Sequence, residues 1–225
     1  MKLMGCGTER VEEELHKLFP NMKVLRMDMD TTRNKEGHGK ILSAFAREEA
    51  NILIGTQMIV KGHDFPAVTV VGVLLADLSL HGSDYMAAER TFQLLTQAVG
   101  RAGRGSVPGN AVIQTYQPEN YAVNAAAAQD YETFYRGAIR MREAMVFPPF
   151  CEMVLLSYSA SEEVEVMNAA AKIDRRLREL IAPGGEYSDV QMAIFGPFEA
   201  QVYKVNEKFR MRMILKCRLN RRTRA

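Results

Sequence analysis

The sequence predicts an α/β fold, a parallel sheet with helices on both faces, followed by a smaller α+β domain. Three observations carry this. Strand-like and helix-like stretches alternate through residues 1–147. Val68 to Leu75 is a continuous apolar run rich in valine, the composition of a strand buried on both faces. Phe147-Pro148-Pro149-Phe150 then stops the alternation, because two prolines cannot continue a helix. Two domains are therefore expected, 1–147 and 148–225.

The elements follow in order. Thr8 can cap a first helix whose glutamates suit its positive end, with Val11, Leu15 and Leu18 at helical spacing; Pro20 and Asn21 stop it. A strand with Val24 and Leu25, a helix from about Lys40 to Ala50 and a strand over Asn51 to Ile54 make the first strand, helix, strand unit. The buried run ends at Asp77. A helix over Tyr85 to Val99, with Ala88, Phe92, Leu95 and Val99 on one face, precedes a strand at Ala111 to Tyr116 and one long helix from Tyr121 to Met145. Beyond the prolines, a strand at Cys151 to Tyr158 and a helix over Glu162 to Ile181 lead to strands at Val190 to Phe195, Gln201 to Val205 and Phe209 to Cys217, a βαβββ order. The last alternates, with Phe209, Met211, Met213, Leu215 and Cys217 facing the core and Arg210, Arg212 and Lys216 on a wet, basic face. The chain stops soon after, as though a closing element were left out.

Composition excludes several classes. With 47% hydrophobic and 25% charged residues, the chain can bury a core, and its longest apolar runs are strand-length, so a cytoplasmic protein is expected. Three distant cysteines and four scattered histidines offer no metal-ligand spacing. The net charge of +2 conceals a basic segment from Lys204 to Arg224, a plausible nucleic-acid footprint.

Chemistry concentrates at Gln97 to Gly105, QAVGRAGRG. Arg101 and Arg104 lie three apart, so on a helix or its last turn they face the same way, and the flanking glycines let the backbone approach a ligand closely. Guanidinium groups fork onto phosphate oxygens, which suits a triphosphate whose charge grows during transfer. Upstream, in GTQMIVKGHDF, Thr56 and Gln57 sit at the carboxyl end of a strand, where open α/β sheets bind ligands. There Thr56 can hold a phosphate, Lys61 adds charge, Gly62 permits a sharp turn and Asp64 can accept from a ribose hydroxyl. No phosphate-cradling loop accompanies them. Gly37 to Ile41 imitates one, but Asn34 replaces its first glycine and Ile41 its Ser or Thr. The arginines therefore read as half of a composite site completed by another domain.

These motifs, T-x(5)-G-x-D and then Q-x-x-G-R-x-G-R, resemble motifs five and six of the superfamily 2 helicases, on the second of their RecA-like lobes. With GTERVEEEL at Gly7 to Leu15, AERTFQLLTQ ahead of the arginines, FPPF at Phe147 to Phe150, and GPF at Gly196 to Phe198 with the later KFR, the chain is similar in motif order to the primosomal protein N′ family of replication-restart helicases. The resemblance implies an ATP-dependent 3′-to-5′ DNA helicase that recognises stalled or branched forks, binds single-stranded DNA, and works with primosome and single-strand-binding proteins. It implies that Arg104 is an arginine finger for ATP and Mg²⁺ held by a first lobe, that Arg101 is its partner and that Gln97 couples the site to the lobe interface. By the same resemblance Gly62 and Asp64 line the nucleotide cleft, Thr56 and Gln57 face the translocated strand, and the C-terminal part engages DNA. The family's zinc-binding cysteines and Walker motifs are not in this sequence, so an excised fragment, inactive alone, is expected.

Two other readings remain open. One is a free-standing nucleic-acid-binding module without an ATPase role, which accounts for the basic tail but not for the ordered motifs. The other is a ferredoxin-like regulatory or assembly domain, whose pattern fits only the second part.

Overall fold

A computed structural model describes residues 7–28, 35–56, 59, 65–80, 84–105 and 107–218. The chain divides into two compact units, Met1–Ala138 and Ile139–Ala225.

In the first unit, helix α1 (Thr8–Leu18) leads to β1 (Val24–Met27), α2 (Lys35–Ala46) and β2 (Ile52–Gly55). The strands β1 and β2 pair in parallel, Val24 opposite Ile52. Thr8 does not cap α1 as expected. The cap position is Gly7, and the Thr8 hydroxyl instead donates to Asp28 Oδ2 at 2.7 Å, tying the start of α1 to the end of β1. Residues 37–41 lie within α2.

The unit continues with β3 (Val70–Val73), α3 (Asp77–Leu80), α4 (Ala87–Val99) and β4 (Asn110–Ile113), and β3 pairs in parallel with β4. A right-handed strand, helix, strand crossover is the ordinary way to join parallel neighbours. Among the described residues the parallel pairing forms two separate ladders, β1 with β2 and β3 with β4. The expectation that β3 is buried on both faces does not hold. Val73 packs against the core that contains Phe92 and Leu95 of α4, while Val70 is 64% exposed and Val112 on β4 is 62% exposed. Apolar composition reports burial only where a second layer covers the other face.

One long helix was expected over Tyr121 to Met145, and the chain forms two, α5 (Tyr121–Ala127) and α6 (Tyr131–Ala144). Gln129 adopts a left-handed conformation, φ 54°, and Asp130 accepts from the Thr133 N–H at 3.0 Å, which starts a new helix. Small residues let α5 press onto α4: Ala122, Val123, Ala125 and Ala126 are buried with Phe92, Leu95 and Phe134 in one core. The rings of Phe92 and Phe134 stack at 4.1 Å between centroids.

The second unit packs α7 (Glu163–Ile181) on an antiparallel sheet of β5 (Glu152–Ala160), β6 (Gln191–Val205) and β7 (Lys208–Arg218), in the order β5-β7-β6. The expected βαβββ order is βαββ. Gly196 and Pro197 do not end the strand but are absorbed as an irregularity, where the register shifts between Phe195 and Phe198. Val166, Ala170 and Met211 form the core between helix and sheet, with Tyr158, Tyr203 and Phe209 around it. The Tyr203 hydroxyl donates to Glu163 Oε1 at 2.8 Å and pins the first turn of α7 to β6.

Candidate functional site

Helix α4 carries the motif to its end and stops one residue short of the arginines. Gly100 takes the cap position, and Arg101, Ala102 and Gly103 form a turn beyond it. The expectation of a helix or its last turn is thus corrected: the arginines ride on the reversal that follows. Gly103 supplies that reversal with φ 72°, a conformation other residues adopt at a cost. Its N–H donates to the Val68 carbonyl at 3.0 Å.

Two glycines let the turn nest into its surroundings. A Cβ on Gly103 would lie 2.2 Å from the Gly109 nitrogen, and one on Gly105 would lie 2.4 Å from the Pro66 carbonyl. The arginine turn therefore touches the segment Pro66 to Val68, immediately after the GHDF stretch. Tertiary structure thus joins the arginine turn to a segment some forty residues earlier in the chain.

Within this arrangement Arg101 is half-buried and Arg104 is exposed. Arg104 Nε–H donates to the Gly100 carbonyl at 2.6 Å, so the guanidinium lies against the carboxyl end of α4. Cations are favoured there by the helix dipole. Gln97 is exposed on the last turn of α4, and Thr56 is exposed just past β2, where its carbonyl accepts from Ile59 N at 3.2 Å. Gln57, Lys61, Gly62 and Asp64 lie outside the described residues.

The start of α4 is held as firmly as its end. Asp84 Oδ1 accepts from the Met86 N–H at 3.0 Å and its other oxygen pairs with Arg90, and these bonds lower its pKa below 3.8. Asp77, the first residue of α3, is buried and accepts from the Thr115 hydroxyl at 3.0 Å and the Tyr116 N–H at 2.9 Å. These two bonds fix the exit of β4.

On β7 the three expected DNA contacts differ in setting. Arg210 is exposed. Arg212 is half-buried with its guanidinium 5.3 Å from the centre of the Phe198 ring. Lys216 lies 3.8 Å over the Phe147 ring and donates to the Met145 carbonyl at 2.9 Å, so it braces the FPPF corner as well as bearing charge. Sequence reading missed these aromatic partners. For Phe198 the signal was the cross-strand register with Arg212, and for Phe147 the fold-back of the FPPF corner onto Lys216, neither of which a single sequence displays. Among the described residues, no cluster of three or more His, Cys, Asp or Glu could hold a metal ion, and no helix is long and apolar enough to cross a membrane.

Comparison with known proteins adds a lineage to this geometry. A family model described as "Helicase conserved C-terminal domain" matches residues 6–106, and one described as "Primosomal protein N C-terminal domain" matches residues 143–225. Replication restart protein PriA of Bacillus subtilis (strain 168) is 43% identical over 96% of this chain. The chain belongs to the PriA family. PriA of Synechocystis is 38% identical over 96% of the chain, and PriA of Treponema pallidum 35% over 94%. This chain spans 26%, 25% and 31% of those three PriA proteins, respectively. Its first part is therefore the helicase C-terminal, RecA-like lobe of the PriA pattern, and its second the PriA C-terminal domain.

Proposed function

We propose that this chain supplies the second lobe and the C-terminal domain of an ATP-dependent 3′-to-5′ DNA helicase that recognises stalled or branched replication forks and restarts replication in the cytoplasm. The supporting observation is the arginine turn. An exposed guanidinium stands on a reversal whose glycines bring it against the segment that follows GHDF. Such a placement suits a residue that must reach across a cleft to a phosphate held elsewhere.

In this reading ATP, with Mg²⁺, is held mainly by a first lobe and supplies the free energy of translocation. The residues of this chain orient and neutralise. Arg104 is the finger at the terminal phosphate, Arg101 its half-buried partner, and Gln97 relays the lobe interface along α4. Gly62 and Asp64 line the nucleotide side of the cleft, while Thr56, Gln57 and Lys61 face the DNA strand. Arg210, Arg212 and Lys216 contact DNA phosphates. By the family resemblance zinc belongs to the full-length helicase, and among the described residues of this chain no cluster of His, Cys, Asp or Glu could hold it; primosome and single-strand-binding proteins are the expected partners.

The test is Arg104→Ala in the complete enzyme. DNA-stimulated ATP hydrolysis is expected to fall by about 10³- to 10⁵-fold while fork binding is retained. Near-normal hydrolysis overturns the assignment.

A further inference from the structure

We infer that the sheet face of the second unit opposite α7 is a stacking platform for single-stranded DNA, with Phe195 as its base-contacting residue. The inference rests on the reading of Arg212 and Lys216 as DNA contacts and adds what lies between them.

Strand register defines the surface. Leu155, Ile214 and Phe195 are aligned across β5, β7 and β6, so they form one row on the face away from the core residues Met211 and Met213. Leu155 is 60% exposed and Phe195 45% exposed, an apolar row open to solvent. The next row on one side is centred on Arg212 and the next on the other side on Lys216. Rows on one face of a strand lie about 7 Å apart, so a cation stands on each side of the apolar row at about the width of a base. None of the residues registered into these three rows is acidic.

The cations are held at fixed places. Arg212 lies against Phe198, and its buried Nε has no hydrogen-bond partner among the described residues, while Lys216 is fixed by Met145 and lies 5.5 Å from the Phe195 ring centre. An exposed ring with positive charge on both sides matches an unpaired base with a phosphate on each side. Duplex DNA keeps its base faces stacked inside the helix, so it can use the charges but not the ring. The occupant with both features is a single strand.

The chain contains no tryptophan, which makes the test direct. Phe195→Trp places one indole on the platform and retains an aromatic ring there. Oligothymidylate is expected to quench its fluorescence, and a duplex of equal length is not. Phe195→Ala is expected to weaken oligothymidylate binding about 5- to 100-fold without changing its salt dependence. Arg212→Ala is expected to flatten that salt dependence by about one unit of slope. If the quench is absent and Phe195→Ala binds within twofold of the parent while Arg212→Ala still flattens the slope, the stacking inference is overturned and phosphate contact stands. If Arg212→Ala also leaves the slope unchanged, the DNA reading of this face falls, and the platform with it.

Discussion

Arg104 donates its Nε–H to the carbonyl of Gly100 at 2.6 Å, so the side chain proposed for nucleotide chemistry also closes the helix that presents it. A helix end leaves carbonyls unsatisfied, and a guanidinium satisfies one while adding a favourable charge to the dipole. The structural role of this residue and its proposed catalytic role can be separated. Arg104→Lys keeps the charge but loses the planar fork. It is expected to unfold within about 1 kcal/mol of the parent, because the bond is exposed, yet to leave the complete helicase without rapid ATP hydrolysis. Urea denaturation and steady-state hydrolysis check the two halves separately.

Gly103 and Gly184 both have positive φ, 72° and 86°, but only Gly103 has neighbours that a Cβ would strike. Gly184→Ala is expected to cost about 1 kcal/mol, the conformational term alone. Gly103→Ala adds a 2.2 Å approach to the Gly109 nitrogen and cannot relax without moving backbone. A loss of about 2 kcal/mol or more is expected, together with faster amide exchange across β3 and β4. Equal costs at the two sites would show that the turn does not nest as described.

Acid should loosen the start of α4. Asp84 has its pKa lowered by the Met86 N–H and then by Arg90, so its charged form is the one the fold stabilises. Its contribution is fully present above the ordinary value of 3.8 and is lost as pH falls through the lowered value. Between pH 5 and pH 2 the parent is expected to lose helicity at lower urea than Asp84→Asn does, relative to each protein at pH 7. Circular dichroism at 222 nm follows this.

At the alkaline end, Tyr203 is pushed up to about 12, chiefly by its hydrogen bond to Glu163. The neutral phenol donates to the carboxylate, so this bond contributes below the ordinary value of 10 and is lost as pH rises through about 12. Absorbance at 295 nm should show a late-titrating group among the eight tyrosines, Tyr203 last in it and Tyr158, raised by burial, before it. Glu163→Gln should bring Tyr203 back toward 10.

Sequence alone determined the α/β class, the helix leading into QAVGRAGRG and the alternation of β7, because each is written in local periodicity and turn chemistry. It also pointed to Arg101 and Arg104, since glycine and arginine at fixed spacing is a local pattern. Breaks carried by backbone conformation were hidden: Gln129 reverses the chain between α5 and α6 with a residue that ordinarily favours helix, and β6 runs through a proline. Only tertiary structure decided that Thr8 reaches Asp28, that Gly105 abuts Pro66, and that Phe195 shares a row with Ile214 between two cations. Each joins residues far apart in the chain. Their meeting depends on which strands pair and in what register, a choice set by the packing of the whole unit.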